Sequence, residues 1–366
     1  MLESINFKGY ITDQIAVLAQ LVERLLAKQK AAGSRPAYRT NLKMFLFKQK
    51  LNLIIFICLI SCSSGPDSSA NIQNNINFNQ LYNLSCIPYG TYTQKCNLKH
   101  KNLDRYYLIY KPSSVSNESN IPLLFSLHGY GSSAEFHKSY TGYESLSEQE
   151  KFIVIYPQGY KLETALANSS SHWNSGAWTV GSNVDDVDFI KTIIEIISNQ
   201  NSIDQNRIYS TGMSNGGFMS YHLACNLSHK IAAIASVTGS MSKQTLNLCE
   251  PSHPTSVLQI HGLLDFVVPY NGNNAVGMTS IDEVLDFWAT FNACSPNPLI
   301  AVNDYFNEKG SIEFVQYDSC LNNVEVNLLR LPNMNHTWPS LNNYNISATK
   351  EIWNFLSRFD INGEIN

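Results

Sequence analysis

The chain is short of charge. Lys, Arg, Asp and Glu make up 15% of its 366 residues, against about 25% in an average soluble protein, so its surface must rely on uncharged Asn, Ser and Thr. It has no basic surplus, the net charge being −4, and therefore lacks the cation density that holds nucleic-acid phosphates. It also lacks an apolar run of the ~20 residues needed to cross a bilayer; its strongest stretch, residues 51–60, covers ten positions. None of its eight cysteines stands in a C-x-x-C pair, which argues against a zinc ribbon or a thioredoxin-type site. There is no H-E-x-x-H and no carboxylate cluster, so no metal and no cofactor is implied. What the chain does have is apolar material, 44% of its residues. That is enough for one large domain or two small ones, and it excludes both a multi-spanning membrane protein and wholesale disorder.

The first sixty residues combine two unlike pieces. Lys48 and Lys50 precede the ten-position apolar stretch, and Ser61, Cys62, Ser63, Ser64 and Gly65 follow it. A charged start, a short apolar centre and a small-residue end predict a secretory signal peptide over residues 44–61; the alternative is a buried strand. The sequence Leu59-Ile60-Ser61-Cys62 resembles a bacterial lipoprotein box. That resemblance implies lipidation of Cys62 and a membrane anchor strong enough for stable binding. Residues 62–85, rich in Ser and Asn, then read as a polar tether. Upstream of the signal, Ala19 to Arg24 and Gly33 to Pro36 resemble in-frame translations of the D and T arms of a transfer-RNA gene. The expectation is that residues 1–43 are a mis-called extension and that translation starts at Met44; upstream DNA without such a gene would overturn it. The competing reading is an amphipathic helix over residues 15–26. Residues 1–61 carry nine Lys or Arg and three Asp or Glu, so the chain from Cys62 onward holds 16 basic and 26 acidic residues, a net −10. Anionic polymers are then still poorer partners.

From Cys86 the chain alternates strand-like and helix-like segments. Residues 106–110, 123–127, 152–156, 207–209, 231–237, 256–260 and 324–331 are short runs rich in Val, Ile, Leu and Tyr, several of them continuously apolar as in parallel strands covered on both faces. Between them, Asp185 and Asp186 are placed to cap a helix with Val187, Ile190, Ile193 and Ile197 on one side, and residues 281–291 and 348–359 repeat the pattern. The fold class is α/β: a doubly wound, mostly parallel sheet with helices on both faces, over residues 86–359. Residues 160–184, with Trp173, Trp178 and several Ser and Gly, read as a long loop.

Gly212-Met213-Ser214-Asn215-Gly216 follows one of these strands and precedes a helix start. Such a G-x-S-x-G turn exposes a serine Oγ at the positive end of a helix, and the flanking glycines avoid collisions with neighbouring backbone. The motif alone is weak, but its place between strand and helix strengthens it. The same fold order demands an acid and then a histidine after later strands. Asp265 lies just past the strand 256–260, and His336 just past the strand 324–331. Asp265 would set the imidazole tautomer and His336 would take the Ser214 proton; in isolation either is an ordinary loop residue. Backbone N–H groups of Tyr130, in Leu127-His128-Gly129-Tyr130-Gly131, and of Asn215 are the expected oxyanion donors. Gly129 to Ala134 also fits a dinucleotide fingerprint, but the next strand ends in Pro157-Gln158-Gly159 without the acidic residue that would hold a ribose.

With LHGYGSSA, FIVIYPQG, VDDVDFI, RIYSTGMSNGGFMSYHLAC, IHGLLDFVVPY and NHTWP in order, residues 86–359 resemble the α/β-hydrolase esterases grouped with polyhydroxybutyrate depolymerases and feruloyl esterases. The resemblance implies a serine carboxylic ester hydrolase with Ser214, Asp265 and His336 as its triad, acting on a hydroxyalkanoate oligomer or a feruloylated or acetylated glycan. Trp173, Trp178 and Trp338, with Tyr130, are the candidate pocket walls. Short loops and the resemblance together favour disulfides Cys86–Cys96, Cys225–Cys249 and Cys294–Cys320. The protein is expected to be exported, either held at the periplasmic face or cell surface through Cys62 or extracellular. Two departures stand out: Asn335 and Asp188 replace glycines usual in the family. The alternatives are a serine peptidase of the prolyl-oligopeptidase type, for which residues 62–86 leave no room for a propeller, and a catalytically inactive surface-binding lipoprotein.

Overall fold

The computed structural model describes residues 77–164, 167–179, 182–304 and 311–365. The extension 1–43, the signal 44–61, Cys62 and the tether up to residue 76 lie outside the described residues. Eleven strands form one sheet: β1 (Ser85–Gly90), β2 (Thr93–His100), β3 (Leu103–Tyr110), β4 (Ile121–Leu127), β5 (Ile153–Pro157), β8 (Ile203–Met213), β9 (Ala233–Val237), β10 (Ser256–Gly262), β11 (Leu299–Asp304), β12 (Ser311–Tyr317) and β13 (Val326–Leu331). Their order is β1-β2-β3-β5-β4-β8-β9-β10-β13-β12-β11. The centre, from β5 to β13, is parallel, and antiparallel strands extend it on both sides.

The strand period of two divides the core. Leu123, Phe125 and Leu127 of β4 face one layer and Leu124 the other. Ile190, Ile193 and Ile197 of the helix Asp186–Gln200 and Trp288 of the helix Ile281–Phe291 fill the first layer. Ile352, Phe355 and Leu356 of the helix Ala348–Leu356 fill the second. Each fully buried Ile or Leu contributes about 1.5–3 kcal/mol relative to exposure, so the central strands can be almost wholly apolar. Asp185 caps its helix by accepting from Asp188 N–H at 3.0 Å. Helix and sheet together give the α/β fold that the alternation predicts.

Three local differences follow from polar sequence. Residues 160–184 are not one loop: β6 (Tyr160–Thr164) and β7 (Ala167–His172) form a hairpin. The Ser-rich β7 gives no apolar alternation to read, and the alternation of β6 spans only five residues. Residues 77–85, read as the end of the tether, instead hold a short helix, Phe78–Leu81, and the start of β1. Phe78, Tyr82 and Leu84 pack against the core there. β1 escapes hydrophobic patterning because all its residues are exposed. Disulfides Cys86–Cys96, Cys225–Cys249 and Cys294–Cys320 are formed; the first staples β1 to β2. Asp188, the departure from glycine, bonds His100 Nε2 at 3.0 Å and Lys101 Nζ at 3.0 Å, tying the helix start to the β2–β3 turn.

Candidate active site

Three parallel strands deliver the candidate triad to one edge of the sheet. Ser214 follows β8 and opens the helix Asn215–Asn226 with φ 55° and ψ −121°, a conformation that costs a non-glycine residue about 1–3 kcal/mol. The surroundings hold it there. Ser214 N–H donates to Val237 O at 2.8 Å, and its carbonyl accepts from Phe218 N–H at 3.0 Å. A Cβ at Gly216 would collide with the Leu127 carbonyl, and one at Gly212 would stand 2.5 Å from the Gly216 backbone. This is why strand and helix can approach closely enough to force the serine outward. Ser214 is 8% exposed.

Asp265 lies beyond β10, fully buried, with both oxygens engaged. Oδ1 accepts from Val267 and Val268 N–H, each at 2.9 Å, and Oδ2 pairs with His336 Nδ1 at 2.8 Å. A carboxylate can only accept, so Nδ1 of His336 carries the proton and Nε2 is the basic nitrogen. His336, beyond β13, keeps 19% of its side chain exposed. The Asn335 departure places its Oδ1 against Tyr344 OH at 3.3 Å, so the loop gains a side-chain tie where glycine would offer none.

The turn after β4 lies against the nucleophile: a Cβ on Gly129 would sit 3.5 Å from Ser214 Cβ. His128, which sequence reasoning passed over, fixes this turn. Gly159 N–H donates to its Nε2 at 2.9 Å, so Nδ1 carries hydrogen and donates to the Gly129 carbonyl at 2.7 Å. Burial pushes the His128 pKa down to about 4, which keeps this tautomer neutral at pH 7. In a trans peptide, pinning the Gly129 carbonyl aims the Tyr130 N–H the opposite way. Asn215 is the first residue of its helix, where an N–H has no carbonyl one turn back. Its side chain clamps the segment after β7, accepting from Trp173 N–H at 2.7 Å and donating to Trp173 O at 3.1 Å.

The aromatic walls need correction. Trp173 is fully buried, and its Nε1–H donates to His128 O at 2.9 Å; it braces the turn from behind and cannot touch a ligand. Trp338, 4% exposed, donates through Nε1 to Thr349 Oγ1 at 3.1 Å and packs among Tyr143 and His137 in the second core layer. Bulk and chemistry suited each to a pocket, but the apolar core claimed both. The Trp178 side chain lies outside the described residues. Tyr130 remains at the surface, 38% exposed. Exposed apolar side chains stand instead on the Asp265 loop, at Leu263, Leu264, Phe266 and Val267, Phe266 at 85%.

Behind the loop runs a buried relay. Val268 O can only accept, so His261 donates to it through Nε2 at 2.9 Å. Its Nδ1 must then accept, and does so from Gln259 Nε2 at 2.8 Å. Gln259 also donates to Gly239 O at 2.9 Å and accepts from Tyr221 OH at 2.8 Å. Burial lowers the pKa of His261, consistent with a neutral ring. A shared signal was available in sequence: the same His-Gly pair closes β4 and β10.

Residues 114–282 match the model of the phospholipase/carboxylesterase family. A bifunctional acetylxylan esterase/xylanase of Neocallimastix patriciarum is 24% identical over 258 residues, covering 70% of this chain and 34% of that protein. Feruloyl esterase B of Piromyces equi is 26% identical over 266 residues, covering 70% of this chain and 46% of that protein. The chain thus spans less than half the length of either relative. An S-formylglutathione hydrolase from Agrobacterium tumefaciens superposes with a TM-score of 0.50 at 9% identity, over 75% of this chain and 98% of that one, a likeness of fold.

Proposed function

We propose that this chain, which belongs to the α/β-hydrolase esterase family, is a serine hydrolase that cleaves feruloyl or acetyl esters carried on a glycan. The observation that carries the reading is the His336 Nδ1–Asp265 Oδ2 bond of 2.8 Å at the sheet edge where Ser214 stands in its strained turn. His336 Nε2 takes the Ser214 proton as Oγ attacks the ester carbonyl, and the Tyr130 and Asn215 N–H groups receive the developing negative charge. His336 then protonates the leaving alcohol. Water, deprotonated by the same nitrogen, releases the acid and restores Ser214.

The names of the relatives favour a glycan ester. The exposed side chains of Leu263, Leu264, Phe266 and Val267 on the Asp265 loop favour a second reading, hydroxyalkanoate oligomers, because they offer an apolar face to an acyl chain. Three disulfides fit an oxidising compartment, as does the signal-like stretch 44–61.

The test is hydrolysis of p-nitrophenyl acetate, methyl ferulate, hydroxybutyrate trimer and a peptide amide. The wild type is expected to turn over the esters and spare the amide, and Ser214→Ala to lose a factor of about 10⁴ or more in kcat. Equal behaviour of wild type and Ser214→Ala on every substrate would sink the proposal, and preference for the amide would favour a peptidase.

A further inference from the structure

Two tyrosines at the tip of the β1–β2 hairpin are held in the open at some cost. Tyr89 is 47% and Tyr92 53% exposed. Tyr92 has φ 55°, a left-handed conformation that glycine or asparagine adopts far more easily than an aromatic residue. Neither burial nor turn chemistry accounts for a tyrosine there, which points to a role for the ring itself. The two rings border a cleft of about 820 Å³, a size typical of ligand sites. Tyr110 stands beside them, and Glu135, Glu144 and Glu148 add three carboxylates against Lys138 and Lys95. Lys95 is paired with Glu135 at 2.9 Å and lies 6.0 Å from the centre of the Tyr89 ring.

This lining selects its ligand. Flat exposed rings suit the apolar faces of sugar rings, and carboxylates accept from hydroxyls. An anionic polymer would meet repulsion. Glu135 already holds Lys95 and Tyr106, Glu144 holds Lys138, and Glu148 holds Ser113 and Ser114. The carboxylates therefore offer a ligand's hydroxyls only their remaining lone pairs, which a polyester, having no donors, cannot use. The cleft is also tied to the candidate active site by one element, the helix Ala134–Thr141. Glu135, Lys138 and Ser139 of that helix line the cleft. Its Tyr140 hydroxyl bonds Thr337 Oγ1 at 2.9 Å and accepts from Trp338 N–H at 3.0 Å, next to His336. Phe136 and Tyr140 stack on each other, 60% and 38% exposed, so exposed rings continue over the helix toward the His336 loop. A helix is about 10–12 Å across with its side chains, a span that a few sugar units bridge.

We propose that the cleft beside Tyr89 and Tyr92 is a glycan subsite, which binds a neutral polysaccharide chain while an ester pendent on that chain reaches Ser214. The inference rests on the esterase reading for its purpose, but its binding test does not. In gel electrophoresis through soluble arabinoxylan, the full chain and Ser214→Ala are both expected to be retarded, with no retardation by polygalacturonate. The variant Tyr89→Ala/Tyr92→Gly is expected to lose that retardation. Its KM for a feruloylated arabinoxylan oligosaccharide should rise about tenfold, with kcat and the kinetics on methyl ferulate unchanged. Tyr92→Gly suits the turn, so the thermal midpoint should stay within a few degrees of wild type. Absence of retardation by arabinoxylan, retardation by polygalacturonate instead, or a double variant retarded like wild type would each overturn the subsite. Loss of ester turnover with retardation intact would instead overturn the esterase reading and leave the subsite standing.

Discussion

Asp265 owes its position to a histidine that takes no part in proton transfer. His261 donates to Val268 O, and Val268 N–H holds Asp265 Oδ1, so the ring sets the loop that aims Oδ2 at His336. His261→Phe keeps the volume and removes both hydrogen bonds, leaving one N–H of Gln259 and the Val268 carbonyl without a buried partner. Kinetics on p-nitrophenyl acetate should show kcat lower by about 10- to 100-fold, as small misplacements in active sites cost, while KM changes little. A normal kcat would mean that His261 only fills space. The candidate triad could be read from sequence because each member sits in a short stretch after a strand. His128 and His261 could not, since their roles depend on Gly159 and Val268, which only the folded chain brings to them.

At the scale of elements, a buried ion pair connects the antiparallel edge of the sheet to the nucleophile turn. Arg105 on β3 pairs with Asp186 at 2.7 Å, both side chains almost wholly buried, and its guanidinium also lies 3.8 Å from the centre of the Phe189 ring. Asp186 accepts in turn from Asn174 N–H at 2.8 Å, one residue from the Trp173–Asn215 clamp. Removing one partner strands a buried charge, at a cost of about 3–5 kcal/mol. Arg105→Met and Asp186→Asn should therefore each lower the denaturation midpoint in urea, and the double variant should lose clearly less than the two added together. Strict additivity would show that the pair is not coupled. Sequence suggests Asp186 as a helix cap and says nothing of its partner 81 residues away. The central strands were legible because burial on both faces makes them continuously apolar. β1, β2, β6, β7 and β12 were not, because exposed or polar strands carry no such run. β11 was missed although residues 299–302 are apolar, and that run lies exposed at the end of the sheet.

Across the whole molecule, neutral histidines are built into the interior. Burial lowers the pKa of His128 to about 4, of His137 to about 3 and of His222 to about 4, and lowers those of His172 and His261 as well. Unfolding frees each to titrate near the ordinary 6.5, so the unfolded chain binds more protons between that value and the native one, and stability must fall as pH falls through this window. At pH 5, each of the three with a value near 3 or 4 loses about 2 kcal/mol relative to neutral pH. Three such losses are comparable with the entire ~5–15 kcal/mol that stabilises a typical protein. The thermal midpoint should be nearly level from pH 8 to 7 and drop steeply between 6.5 and 5. Carboxylates with depressed pKa values, Asp185, Asp188 and Glu135, stabilise the fold above their unfolded pKa and lose that contribution only below about pH 4, so they cannot cause a fall that begins above 6. His137 separates the causes. Its Nε2 is buried without a hydrogen-bond partner, so His137→Phe sacrifices no bond there and removes one proton from the balance. In that variant the slope of stability against pH between 6 and 5 should shrink by about 1.4 kcal/mol per pH unit. A slope equal to that of wild type would show that His137 already titrates normally in the folded protein.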